Sequence, residues 1–319
     1  MSRNNPILYI VIPCYNEEQV LPHTNPMFVG KIEELVKNQE VHPNSKVMYV
    51  NDGSKDKTWE LIQAYASSNP YVVGISQSRN RGHQSSVLAG MYEAAEFADI
   101  VITIDADGQD DIDCMDQMVA EYKDGSEIVY GVRDNRDTDS AFKRITAEGF
   151  YKVMRLFGAD VVFNHADYRL VSKRFIYELA KFKEVNLFLR GLMPLVGFKY
   201  SYVTYKRHER IAGESHYPLA KMLGLAIDGI TSLSIKPIRL ITTLGVLTSF
   251  FSFALIIWVL WSKFAGNVVA GWASTYAIVS LLGGVQLISL GVIGEYIGKI
   301  YLETKRRPRY IISDRTYDE

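Results

Sequence analysis

Two uncharged stretches near the C-terminus, Leu240–Trp261 and Trp272 to about Gly294, constrain this 319-residue chain more than any other feature. The first runs for 22 residues, enough to cross a hydrocarbon core of about 30 Å as a helix. The connection Ser262–Trp272 holds a single lysine. Lys236 and Arg239 precede the first stretch, and Lys299, Lys305, Arg306, Arg307 and Arg309 follow the second. Cytoplasmic loops collect Lys and Arg, so this asymmetry predicts a two-span hairpin with both flanks in the cytoplasm and the short loop outside. Trp258, Trp261 and Trp272 fall at the outer ends, where an aromatic belt belongs. Two buried helices of a soluble domain are the alternative, and they would have no reason to show this charge asymmetry.

Nearly all the charge lies before about residue 236. There, short β-branched or aromatic runs (Ile7–Ile12, Lys46–Val50, Val72–Ser76, Ile100–Ile104, Glu127–Tyr130) alternate with segments of helical periodicity (Glu17–Asn38, Lys57–Ser67, Gln84–Phe97, Met115–Tyr122). Such alternation predicts a mostly parallel sheet covered by helices on both faces. Ligands of such sheets bind beyond the carboxyl ends of the strands. The first apolar run is too short for a signal peptide and reads as a buried strand, which places the body of the chain in the cytoplasm. Pro218–Ser234 carries apolar residues at spacings of three and four, as an interfacial helix does, or a helix packed on the soluble part. A net charge of -1 provides no basic field for nucleic acid. Cys14 and Cys114 offer no disulfide framework and are expected as small buried residues.

Three polar motifs stand at expected strand ends. Asp105-Ala106-Asp107-Gly108-Gln109-Asp110 follows Val101–Ile104, and alternation in an extended segment aims Asp105 and Asp107 the same way. Hard oxygen ligands in this pattern suit Mg²⁺ or Mn²⁺ carrying a diphosphate, whose developing charge the cation stabilises. Taken alone, the motif equally describes an acidic turn capping the next helix. Asn51-Asp52-Gly53-Ser54-Lys55-Asp56 is turn chemistry with Ser54 or Asp56 as a cap, or a site in which Asp52 accepts a hydrogen bond from a base. Pro13-Cys14-Tyr15-Asn16-Glu17 is equally open.

In order, P-C-Y-N-E-E, V-N-D-G-S, S-R-N-R-G-H-Q and I-D-A-D-G-Q-D resemble the family 2 glycosyltransferases of the GT-A fold. Val129–Arg133, Ala166–Leu170, Phe188-Leu189-Arg190-Gly191, Gly213-Glu214-Ser215 and Gly294–Tyr301 narrow the resemblance. They are similar to the bacterial polyprenyl-phosphate glycosyltransferases, relatives of dolichol-phosphate mannose synthase with a C-terminal pair of membrane helices. Arg81, Gly108 and His216 depart from the usual pattern. The resemblance implies a Rossmann-like, mostly parallel α/β GT-A catalytic domain over residues 1–210 and an interfacial region over 211–236. A transmembrane hairpin over 237–304 and a cytoplasmic tail over 305–319 complete the expected division.

It further implies that Pro13, Tyr15, Glu17 and Asp52 hold a nucleoside, and that Asp105 faces ribose and diphosphate. Asp107 and Gln109 would bind Mg²⁺ or Mn²⁺. Asp167 falls at the catalytic carboxylate, unless it merely pairs with Arg169, and Arg133, Arg169, Arg144 and Lys143 would address the acceptor phosphate or the diphosphate. The implied reaction is inverting transfer from a nucleotide-sugar, UDP-glucose first, to polyprenyl phosphate at a bacterial plasma membrane, by a homo-oligomer. UDP-N-acetylglucosamine, UDP-galactose and GDP-mannose remain open as donors. A lipid monophosphate is already largely dianionic at neutral pH, so Asp167 is expected to orient or stabilise charge rather than abstract a proton. A family 2 transferase with a polysaccharide or protein acceptor is one alternative, and a non-catalytic component that binds or flips a lipid-linked sugar is another.

Overall fold

The computed structural model describes residues 3–133, 165–184, 188–208, 230–231, 234–264 and 271–317. Lys143, Arg144, His216 and nearly all of the expected interfacial helix lie outside them. An eight-stranded sheet runs in the order β7-β5-β6-β4-β1-β2-β3-β8. Its strands are β1 (Leu8–Cys14), β2 (Lys46–Asn51), β3 (Val72–Gln77), β4 (Ile100–Thr103), β5 (Ile128–Arg133), β6 (His165–Ser172), β7 (Tyr200–Tyr205) and β8 (Ile312–Arg315). The strands expected from the sequence are present. Three that it did not announce, β6, β7 and β8, carry too many polar and tyrosyl residues to stand out as apolar runs.

β1 pairs in parallel with both β2 and β4. The chain therefore builds outward on one side of β1 through β2 and β3, then crosses back to lay β4 on its other side. The carboxyl ends of β1 and β4 flank this reversal, the place where an open α/β sheet leaves a crevice for ligands. Both faces are covered, so β1 is apolar throughout: Ile10 and Ile12 face one core, Tyr9 and Val11 the other. The first core is closed by α1 (Leu21–Lys37), α2 (Thr58–Ser68) and α4 (Cys114–Lys123), and the second by α3 (His83–Ala95), α5 (Lys173–Leu179) and α6 (Leu189–Leu195). Cys14 and Cys114 are buried thiols, as expected. Lys31 on α1, itself buried, reaches Asp116 at 2.5 Å, Glu34 at 3.0 Å and Asp113 at 3.3 Å, tying α1 to the start of α4.

α7 (Lys236–Phe264) and α8 (Trp272–Lys305) are long and apolar enough to cross a membrane, and large side chains such as Phe250, Trp261 and Leu287 stand exposed on them. At about 1.5 Å per residue, the 34 residues of α8 exceed a ~30 Å core, so one end projects beyond it. The segment after α8 departs from the expected free tail. β8 pairs antiparallel with β3, and Arg315 makes a two-pronged contact with Glu93 of α3 at 2.9 and 3.0 Å. The amide of Gly74 donates to Thr316 Oγ1 at 2.8 Å. An unpaired β3 edge offers backbone partners that the returning chain satisfies.

α3 lies so close to β1 and β2 that a Cβ on Gly90 would stand 2.3 Å from Val11 Cγ1 and 2.7 Å from Val50 Cγ2. Gly90→Ala should therefore destabilise the protein by about 1–3 kcal/mol, the usual range for overpacking, read as a lower denaturation midpoint.

Candidate active site

The loop after β1 and the loop after β2 are laced together at the crevice. The Asn16 amide donates to Ser54 Oγ at 3.0 Å, that of Glu17 to Thr58 Oγ1 at 2.8 Å and that of Glu18 to Asp56 at 3.1 Å. Ser54 and Asp56 thus tie two loops together, beyond the capping role that their position suggests. Gly53 has φ +63°, and a Cβ there would lie 2.5 Å from the Arg79 backbone, so the N-D-G-S turn presses directly on the strand-end loop before α3. Asp52 is buried, and its two oxygens accept from the amides of Arg81 at 2.7 Å and Gly82 at 2.9 Å. Its first structural task is to hold the Arg81-Gly82 turn that launches α3. Pro13 and Glu17 are half-buried at the mouth, and Tyr15 is exposed there.

The register of β4 with β6 pairs Thr103 with Arg169. Carried two residues further, it sets Asp105 opposite Asp167, and Thr103 Oγ1 donates to the Asp167 carbonyl at 2.7 Å. His83, at the start of α3, stands between the two carboxylates: Nε2 is 3.7 Å from Asp105 and 3.5 Å from Asp167. Arg190, on α6, approaches Asp167 with Nη2 at 3.0 Å and Nε at 3.3 Å. Arg169 grips it from below.

One expectation is corrected here. Arg169 has 0% relative exposure, so it cannot meet a substrate phosphate; it is the buried counter-ion of Asp167, and its Nη1 lacks a hydrogen-bond partner among the described residues. Arg133 sits apart, with Asp110 at 3.5 Å and the Tyr205 hydroxyl at 3.3 Å, while that hydroxyl donates to Asp110 at 2.5 Å. Gln109 is turned toward the end of β7: its side-chain oxygen accepts from Arg207, and its amide nitrogen donates to the His208 carbonyl at 3.4 Å. The Gln109 backbone amide donates to Asp107 at 3.1 Å.

Burial raises the Asp105 carboxyl, and the neighbouring carboxylates of Asp167, Asp110 and Asp107 add to this against the opposing pull of His83, leaving it at about 6. Burial would raise Asp167 too, but Arg190, His83 and Arg169 outweigh it and hold that carboxyl well below the usual range. Desolvation would lower His83, yet Asp167 and Asp105 hold it above the ordinary imidazole value. Asp105 and Asp107 give a hard oxygen donor set suited to Mg²⁺ or Mn²⁺. Among the described residues no group of three or more His, Cys, Asp or Glu side chains is arranged to hold a metal ion.

Residues 9–180 match the Glycosyl transferase family 2 family, and residues 236–300 match the GtrB C-terminal hairpin. The chain belongs to glycosyltransferase family 2. It is 46% identical over 319 residues to the uncharacterized glycosyltransferase YkoT of Bacillus subtilis strain 168, covering 100% of this chain and 95% of the relative. It is 38% identical over 309 residues to the bactoprenol glucosyl transferase of Shigella phage SfX, covering 96% of this chain and 98% of that one. Among solved structures, glucosyl-3-phosphoglycerate synthase from Mycobacterium tuberculosis with Mn²⁺ and UDP-glucose aligns at a TM-score of 0.45 and 17% identity, over 73% of this chain and 80% of that one. The sheet of this family 2 enzyme is of the GT-A type.

The family motifs led to Asp105 and Asp167 but left His83 without a firm role and Arg190 without any. Both belong to quoted stretches, R-G-H-Q and F-L-R-G; what assigns them a place is the packing of α3 and α6 around β6. Because Arg169 is sealed beneath Asp167, Asp167→Ala should strand a buried charge. The expected loss is about 3–5 kcal/mol, seen as a marked fall in thermal midpoint, with Asp167→Asn milder.

Proposed function

We propose that this family 2 glycosyltransferase transfers a sugar, glucose in the first instance, from a uridine diphosphate donor to polyprenyl phosphate at the cytoplasmic face of a bacterial plasma membrane. The observation that carries the reading is the meeting of Asp105 with Asp167 at the β1/β4 crevice of a domain joined to two membrane-length helices. The 38% identity to a bactoprenol glucosyl transferase over nearly its whole length supports the acceptor and the sugar. The Lys and Arg flanking α7 and α8 support a cytoplasmic catalytic domain. That β8 lies in the same sheet as β1 supports two crossings, with the segment after α8 on the catalytic domain's side.

In this reading Pro13, Tyr15, Glu17 and Asp52 form the nucleoside side of the crevice. Asp105 faces ribose and diphosphate, and Asp107, with Gln109 once it is released from Arg207, would hold Mg²⁺ or Mn²⁺. The cation would stabilise charge building on the diphosphate. An oxygen of the acceptor phosphate attacks the anomeric carbon from the face opposite the diphosphate. The new carbon–oxygen bond forms as the old one breaks, the nucleoside diphosphate leaves with the bonding pair, and the configuration inverts. A carboxylate held as anionic as Asp167 is a weak base, and a dianionic acceptor needs none. Its fixed charge instead stabilises positive charge developing on the sugar ring. Assembly into a homo-oligomer would use α8, where a Cβ added at Gly284, Gly291, Gly294 or Gly298 would meet nothing within 4 Å, leaving room for a second helix to approach.

The test is a donor screen with full-length protein, undecaprenyl phosphate and Mn²⁺ or Mg²⁺, comparing labelled UDP-glucose, UDP-N-acetylglucosamine, UDP-galactose and GDP-mannose. Label should enter the lipid phase from UDP-glucose, and Asp107→Ala should lower transfer by about 100-fold or more. Label from a different donor would replace the sugar, and nucleotide binding with no lipid labelling would sink the acceptor. Because the Asp105 carboxyl stands at about 6 and has to be ionised to serve the donor, UDP–metal affinity should weaken as pH falls through that value. Asp105→Asn should flatten the dependence beyond the nucleotide's own titration, as read by calorimetry across that range.

A further inference from the structure

We propose that Arg190 is the residue that receives the acceptor's phosphate, and that α6 is the element separating the membrane-side passage from the reacting carboxylate. This rests on the transferase reading above. A phosphomonoester dianion entering a cleft that holds Asp105, Asp107, Asp110 and Asp167 needs a cation on its own side of the sugar. Among the described residues Arg169 is sealed off, and Arg133 is engaged by Asp110 and the Tyr205 hydroxyl. Arg190 is different: its side chain is 35% exposed while contacting both oxygens of Asp167. A guanidinium is a planar fork of five donors, matched to carboxylate and phosphate oxygens alike, so a half-exposed arginine can hold Asp167 and also meet an arriving phosphate.

The surroundings of α6 support a lipid-borne phosphate. Leu192 stands two residues beyond Arg190, about 200° around the helix at 3.6 residues per turn, and Phe188 is the N-cap of α6; both are buried. They line a cavity of about 390 Å³ together with Tyr296 and Ile300 of α8, a volume within the usual range for ligand sites. Glu184, Glu303 and Lys299 also line it, so its apolar wall, and not its charge, is what suits a hydrocarbon chain. Tyr296 and Ile300, past the uncharged stretch of α8, thus share a cavity with Phe188 and Leu192, while Arg190 of the same helix as Leu192 reaches Asp167. Leu189 fixes the helix between them by donating its amide to Gln84, the neighbour of His83, at 2.8 Å.

The alternative role for Arg190 is to position Asp167 and nothing more. Steady-state kinetics on the full-length protein, varying undecaprenyl phosphate and donor separately, distinguish the two. Arg190→Gln should raise the acceptor KM by at least about tenfold more than the donor KM, the equivalent of one charged hydrogen bond. Arg190→Lys keeps the charge beside Asp167 and should recover part of the acceptor KM, but not all, because the fork is lost. Nucleotide binding verifies each preparation, and the Lys variant carries the test if the Gln variant does not fold. A fall in kcat with both KM values held would overturn the proposal and leave Arg190 as a positioning residue. If the wild type labels no polyprenyl phosphate, the transferase reading fails, and this inference with it.

Discussion

The pairing of β6 between β4 and β5 decides where every charge in the site has to go. β6 runs antiparallel to both neighbours, and its register against β4 brings Asp167 across from Asp105. Asp167 and Arg169 are two residues apart on that strand and so project from the same face. One ends in the cleft and the other beneath it, with no solvent contact. A buried guanidinium is tolerable only beside a partner, so the strand that places the candidate catalytic carboxylate also builds in its counter-ion. The helices around β6 then supply the remaining contacts, His83 from α3 and Arg190 from α6.

A second constraint comes from the membrane. The chain leaves the sheet, passes through α7 and α8, and returns to the same sheet as β8. This closes a loop through both long helices, so the catalytic domain is attached to the hairpin at two points instead of hanging from one. Arg309 donates to the Phe182 carbonyl, Tyr310 packs on Tyr92, and Tyr317 meets Phe97 edge-on. These contacts run from the end of α8 to the helix α3 that carries His83. For an enzyme whose acceptor cannot leave the bilayer, limiting the freedom of the domain keeps the crevice within reach of the headgroup.

Much of this was legible in the sequence, for identifiable reasons. β1 to β4 are buried on both faces and read as plain apolar runs, and the helices between them carry their period openly. The motif residues lie at strand ends because the sheet's crevice is there. The rest depended on tertiary neighbours. His165–Ser172 mixes charged with apolar residues, and nothing local says that its arginine is sealed while Arg190, in an equally ordinary stretch, is open. Ile312–Arg315 reads as a polar tail because an edge strand needs only backbone partners and one side-chain anchor, here Arg315 on Glu93. The glutamine of D-A-D-G-Q was readable as a ligand type, but its hold by Arg207 depends on β7 ending beside the loop.

The electrostatics of the cleft are lopsided in a way that follows from these placements. Asp167 is surrounded by Arg190, His83 and Arg169 and stays anionic far below neutral pH, whereas burial, with the neighbouring carboxylates behind it, lifts Asp105 to about 6 against the pull of His83. Negative charge therefore dominates the β4 loop, where Arg133 meets Asp110 and Arg207 meets Gln109, and positive charge gathers on the β6–α6 side. A divalent cation with a diphosphate suits the first side, adding positive charge beside Asp105 and Asp107. An anionic nucleophile suits the second, since Arg190 and His83 already neutralise the carboxylate it has to pass. A neutral hydroxyl acceptor would have no use for that excess of cations and would need a base, which Asp167 is poorly suited to be. The same asymmetry that orders donor and acceptor along the cleft thus favours a phosphate over an alcohol at its α6 end.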